Sequence, residues 1–197
     1  MFNSVPSIET PITNIRAWSG SHIDKVDNLM HRRVYMQVGE LDRVTGPNVL
    51  SKLRDQLSGF VEPIRTRYIV TPDAGHTFPT DFDAPGNTKC QASEPPFISN
   101  CGFDGAGEVL NWLYHDLKPA EEPTGSIVPF DQQGEYGANG MSDTGYLYVP
   151  EKCRSKRCRL HVALHGCLQS YSYVNDKFVK HSGYNQWAGM TPLHMQS

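Results

Sequence analysis

The sequence predicts an α/β fold built on a mainly parallel sheet, and three observations predict it. A β-branched run, an amphipathic helix and a second β-branched run follow one another between Val34 and Val70, which is the pattern of a β-α-β unit. Polar residues able to do chemistry stand just past the ends of apolar runs, at Asp42, at His76 and at His165-Gly166-Cys167, where open α/β sheets bind their ligands. The 197 residues are 38% hydrophobic and 10% aromatic, enough for one core, while 14 Pro and 17 Gly mark a loop-rich domain.

Taken in order, residues 1–32 form a partial N-terminal segment without sustained periodicity, although Ile23, Val26, Leu29 and Met30 share one face of a short helix. Val34-Tyr35-Met36-Gln37-Val38 reads as a buried strand stopped by Gly39, so Asp42 lies just past a strand end. Val49, Leu50, Leu53 and Leu57 recur at helical spacing before Gly59, and Arg67-Tyr68-Ile69-Val70 is the next strand, running into a turn-rich loop that carries His76. Asp104 caps a helix with Val109, Leu110, Leu113 and Leu117 as its stripe, stopped by Pro119. Residues 118–144 have linker composition and mark a boundary between two halves. Gly145-Tyr146-Leu147-Tyr148-Val149 and Leu160-His161-Val162-Ala163-Leu164 read as the two arms of a β-hairpin, followed by a weakly helical, tyrosine-rich segment from Ser170 to Ala188.

Composition narrows the function. With 18 basic and 21 acidic residues the net charge is −3, which argues against a general nucleic-acid binder. No stretch approaches the roughly 18 apolar residues of a membrane span, and Met1 to Ile15 lacks the basic start and apolar core of a secretory signal. The five cysteines pull the other way. Cys90 and Cys101 flank a polar loop, Cys153 and Cys158 flank a basic tip, and Cys167 stands alone. Such pairs look like disulfides of a secreted protein, so either the start of the chain is missing or the thiols are reduced, and an odd count leaves one cysteine over.

Asp42, His76 and the His165-Gly166-Cys167 turn can converge on one site. An Asp beside a His fixes its tautomer and stabilises the imidazolium, as acyl transfer requires, and a glycine turn after a strand aims N–H groups at an oxyanion. A zinc reading of Cys153, Cys158, His161 and His165 fails on spacing, since two residues between the cysteine and histidine pairs cannot fold back as a finger does. Lys152, Arg154, Lys156, Arg157 and Arg159 form a basic cluster without an aromatic stacking platform, which reads as a solvated tip. Tyr171, Tyr173, Tyr184 and Trp187 serve equally well as a groove or as core. The sequence contains no G-x-S-x-G elbow: around Ser142 it reads G-x-S-x-x-G, one residue too long and ahead of its strand.

The segments Val38-Gly39-Glu40-Leu41-Asp42, Pro72-Asp73-Ala74-Gly75-His76, Asn100-Cys101-Gly102-Phe103-Asp104-Gly105, Leu164-His165-Gly166-Cys167-Leu168-Gln169 and Gly183-Tyr184-Asn185-Gln186-Trp187-Ala188 resemble the extracellular poly(3-hydroxybutyrate) depolymerases. The likeness covers residues 33–188. It implies a three-layer α/β-hydrolase sandwich, circularly permuted and here incomplete, because Asp42 and His76 precede the turn that ordinarily comes first. It implies a serine esterase acting on poly(3-hydroxybutyrate) or its oligomers, with His76 as general base, Asp42 orienting it, the Cys167 N–H in the oxyanion hole, and the serine absent from this chain. A Cys90–Cys101 disulfide would hold the His76 loop and a Cys153–Cys158 one would clip the tip. No cofactor and no metal are implied; the expected partner is a polyester or oligoester, with no nucleic acid and no membrane, the complete protein being a secreted monomer. Residues 189–197 depart from the family and read as a retained intron or frame change. Related families cleave feruloyl or acetyl esters. A binding paralogue without catalysis, or a mispredicted product that aggregates, are the rival expectations.

Overall fold

The computed structural model describes residues 5–115, 117–135 and 140–188; the 189–197 tail lies outside them. The N-terminal segment opens with a helix that periodicity did not reveal, α1 (Glu9–Trp18), none of whose residues is buried. The strand β1 (Val34–Gly39), the helix α2 (Gly46–Leu57) and the strand β2 (Thr66–Thr71) form the expected β-α-β unit. β1 and β2 are parallel, in register from Val34 opposite Thr66 to Gly39 opposite Thr71. Pro47 sits in the first turn of α2, where its missing N–H costs nothing.

Past His76 come three short strands, β3 (Phe78–Thr80), β4 (Thr88–Lys89) and β5 (Ile98–Asn100), forming a parallel sheet in the order β3-β5-β4. At two or three residues each they are too short to show periodicity. The helix α3 (Gly105–Leu113) starts as expected, its cap Asp104 accepting the Gly107 N–H at 2.7 Å, but it ends four residues before the stripe does. Trp112 Nε1 donates to the Val34 carbonyl at 2.9 Å, tying α3 to β1. Met36, Val38, Val61, Ala74, Ile98, Ala106 and Leu110 make the core, with Ile98 fully buried.

The second half corrects the sequence reading. Strand β6 (Ser126–Asp131) lies inside the segment that composition marks as linker, and it pairs antiparallel with β7 (Thr144–Val149). Pro129 within β6 and the surrounding prolines and glycines hid it, since proline belongs only on an edge strand. The expected hairpin of Gly145–Val149 with Leu160–Leu164 does not form. β7 uses β6 instead, a 3-10 turn at Glu151–Arg154 and the Cys153–Cys158 disulfide close the tip, and residues 159–166 form no strand and have no strand partner among the described residues. Leu160, Val162 and Leu164 are 73%, 67% and 72% exposed. The tyrosine-rich segment folds into three short helices, α4 (Tyr171–Val174), α5 (Lys177–His181) and α6 (Tyr184–Ala188). No helix among the described residues is long and apolar enough to cross a membrane.

Candidate active site

Strand β1 delivers Asp42 and strand β2 delivers His76, and the loops after them interlock. The N–H groups of Glu40 and Leu41 donate to the carbonyls of Thr71 and Ala74 at 2.9 and 2.8 Å. That approach requires glycine at position 39, where a Cβ would lie 2.2 Å from the Gly75 carbonyl oxygen; Gly75 is needed for a different contact, since its Cβ would lie 2.5 Å from the Ala92 carbonyl oxygen in the loop that Cys90 and Cys101 close. The two sequence motifs Val-Gly-Glu-Leu-Asp and Asp-Ala-Gly-His are thus halves of one packing arrangement.

Asp42 is buried, 7% exposed. Its Oδ1 accepts the N–H groups of Val44 and Thr45 at 2.7 and 3.0 Å, and its Oδ2 lies 2.9 Å from His76 Nδ1. Burial alone would raise its pKa, but the hydrogen bonds from His76, Val44 and Thr45 outweigh burial and hold the carboxyl below the ordinary range. A carboxylate can only accept, so Nδ1 carries a proton, and in the neutral imidazole the lone pair is on Nε2. Nε2 has no hydrogen-bond partner among the described residues. The imidazole is 38% exposed and borders a cleft of about 220 Å³ with Phe78, Phe97 and Gln169.

Three further contacts position the ring. The His76 N–H donates to Ser93 Oγ at 2.9 Å, and the Gly75 N–H donates to the Cys90 carbonyl at 2.8 Å. Cys90 is bonded to Cys101, so a covalent loop backs the histidine. Phe97 meets the imidazole edge-on, with ring centroids 5.8 Å apart and planes at 77°.

Cys167, the cysteine left over, is an exposed free thiol in a tight turn from Gly166 to Gln169, closed by the Gln169 N–H on the Gly166 carbonyl at 3.3 Å. The N–H groups of Cys167 and Leu168 donate to no described group. Gln169 connects this turn to the histidine side: its Nε2 donates to the Pro96 carbonyl at 2.9 Å, next to the Phe97 that walls His76. Sequence reasoning treated Gln169 only as part of a motif; a glutamine after an apolar run carries no chemical signal of its own.

Other candidates fall to structural roles. Cys153 and Cys158 form a disulfide and offer no thiolates to a metal, and no group of three potential metal ligands occurs among the described residues. In the basic cluster Lys152 pairs with Glu121, Arg154 with Glu151, and Arg159 lies over Tyr114. The tyrosines divide: Tyr171 and Tyr173 are exposed, while Tyr184 borders a second cavity of about 420 Å³ between β7, α3 and α5–α6, where burial pushes its hydroxyl up to about 12. Trp187 donates to Asp104 Oδ2 at 2.9 Å and secures the cap of α3. That larger cavity is mostly apolar and is lined by neither Asp42 nor His76, which border the smaller cleft.

A β-α-β unit that brings an aspartate and a histidine together past its strand ends defines an α/β-hydrolase type of architecture. Comparison with known proteins makes the likeness particular. The chain is 50% identical over 192 residues to a polyhydroxybutyrate depolymerase of Talaromyces funiculosus, matching 95% of this chain and 57% of that protein. It is 37% identical over 193 residues to a poly(3-hydroxybutyrate) depolymerase of Delftia acidovorans, matching 94% of this chain and 38% of that protein. The crystal structure of the depolymerase from Penicillium funiculosum superposes with a TM-score of 0.93 at 48% identity, covering 97% of this chain and 61% of that one. A serine-to-alanine variant of a PHB depolymerase, complexed with an R3HB trimer, superposes with a TM-score of 0.92. No family model matches. The resemblance to PHB depolymerases therefore holds over nearly the whole of this chain, which spans little more than half the length of the Talaromyces relative.

Proposed function

We propose that this chain supplies the acid–base pair and the oxyanion turn of a serine esterase that hydrolyses poly(3-hydroxybutyrate) or its oligomers. The Asp42–His76 contact at 2.9 Å, with Nε2 unengaged on a cleft, is the observation that carries the reading. His76 Nε2 takes the proton from the attacking serine hydroxyl as its oxygen bonds to the ester carbonyl, and Asp42 stabilises the imidazolium. The Cys167 N–H donates to the carbonyl oxygen as it becomes an oxyanion. His76 then returns the proton to the departing alkoxide, and a water, deprotonated by the same nitrogen, releases the acid from the acyl-enzyme. A serine-to-alanine variant of a relative holding an R3HB trimer supports both the serine and the oligoester. The Cys90–Cys101 and Cys153–Cys158 disulfides support secretion of the protein. The order of Asp42 and His76 ahead of the oxyanion turn supports a circularly permuted sheet.

The test is a chimera in which this chain replaces the matched part of the Talaromyces depolymerase. Release of 3-hydroxybutyrate from the trimer is the expected result. The exposed Tyr171 and Tyr173, with Tyr146 stacked on Tyr171 at 5.9 Å, favour a second reading as a polymer-binding surface. Retention of this chain on a polyester film by an inert chimera would select that reading.

A further inference from the structure

We propose that Gln169 is a positioning residue that docks the oxyanion turn onto the histidine loop. The proposal rests on the esterase reading above and adds a residue to it. Gln169 is 7% exposed, and both ends of its carboxamide are engaged. Oε1 accepts the Gly166 N–H at 2.9 Å, while Nε2 donates to the Pro96 carbonyl at 2.9 Å and at 3.4 Å to that of Phe97. One side chain therefore joins the turn to a segment 73 residues earlier in the chain, whose Phe97 ring stands against His76.

The chemistry of the tie is specific to an amide. It must accept an N–H at one end and donate to carbonyls at the other; a carboxylate cannot donate and an alkyl chain can do neither. By occupying the Gly166 N–H, Oε1 also fixes which donors the turn offers, namely the N–H groups of Cys167 and Leu168, which have no described partner. Leu168 sits at φ +60°, a conformation that a leucine adopts only when its surroundings impose it. Gln169 imposes it from both sides, through its backbone N–H on Gly166 and its side chain on Pro96.

The experiment compares the full chain with Gln169→Leu and Gln169→Glu, using butylphosphonate as a tetrahedral anion. The readouts are amide exchange at Gly166, phosphonate affinity followed at the Cys167 and Leu168 amides, and the thermal midpoint. In Gln169→Leu, Gly166 exchange should rise and phosphonate affinity fall, each about tenfold, the loss of one hydrogen bond. Gln169→Glu should show the same deficit at neutral pH. Its deficit relative to wild type should shrink as pH falls, because a carboxyl buried against carbonyl oxygens holds its proton to higher pH and regains an O–H donor. A folded Gln169→Leu with unchanged exchange and affinity, or a Gln169→Glu deficit independent of pH, overturns the proposal. Failure of the Talaromyces chimera to hydrolyse the trimer sinks the esterase reading; if wild type does not take up the phosphonate, Gly166 exchange alone decides the docking role. If Gln169→Leu does not fold, the Gln169→Glu profile decides it.

Discussion

Val34–Val38 and Leu160–Leu164 are nearly equal apolar runs, each ending in a glycine turn with polar chemistry, and they meet opposite fates. The first is paired along its length with β2, and Met36 and Val38 are each 5% exposed. The second has no strand partner among the described residues, and its Leu160, Val162 and Leu164 are largely exposed. Leu160, His161 and Ala163 border the larger cavity, and His161 Nδ1 bonds Tyr114. Both segments carry strand-like apolar runs, but only neighbouring backbone converts such a run into a strand. The Asp42–His76 contact lies in the half where that condition is met.

Substitutions in the two halves should differ widely in their effect on stability. The largest effect is expected at Ile98, fully buried in β5: Ile98→Ala should cost about 3–4 kcal/mol in denaturant unfolding through lost burial and a residual cavity. Removing the Cys90–Cys101 bond should cost about 3 kcal/mol, against about 2 for Cys153–Cys158, because the first closes the longer loop, 11 residues apart against 5. Only the first loss should also loosen the His76 loop, seen as faster exchange at the Gly75 amide, which bonds Cys90.

Asp42→Ala leaves two N–H groups and an imidazole nitrogen unpaired in a buried place and should cost about 2 kcal/mol. The same carboxylate gives a pH signature. Its pKa is depressed in the folded state, so its contribution is present above the unfolded value and is lost as pH falls through the folded one. Stability should therefore decline below about pH 4, and the decline should be shallower in Asp42→Asn. The smallest effect belongs to the exposed run: Val162→Thr should change stability by less than about 0.5 kcal/mol. Equal losses at Ile98 and Val162 would erase the distinction between the two halves.

The sequence made the β-α-β unit legible because α2 and its flanking strands carry their periods over enough residues. Asp42 and His76 were legible for the same reason, as each follows a strand that could be read. The strands β3, β4 and β5 were not, being two or three residues long, with the ends of β4 and β5 joined by Cys90–Cys101. β6 was masked by Pro129 and the linker-like composition around it. The hairpin expectation failed because local alternation shows that a segment is strand-like without showing which partner it takes. The tie that Gln169 makes was not legible, since the carbonyl it bonds lies 73 residues away.

The central claim is that Asp42 and His76 act together on an ester. Its most direct test is kcat for R3HB trimer hydrolysis by the Talaromyces chimera, with and without Asp42→Asn. The substitution should lower kcat by about 10⁴-fold, since it favours the wrong tautomer of His76 and withdraws the charge that stabilises the imidazolium. KM should stay nearly the same. A chimera that hydrolyses the trimer equally fast when it carries Asp42→Asn would contradict the account.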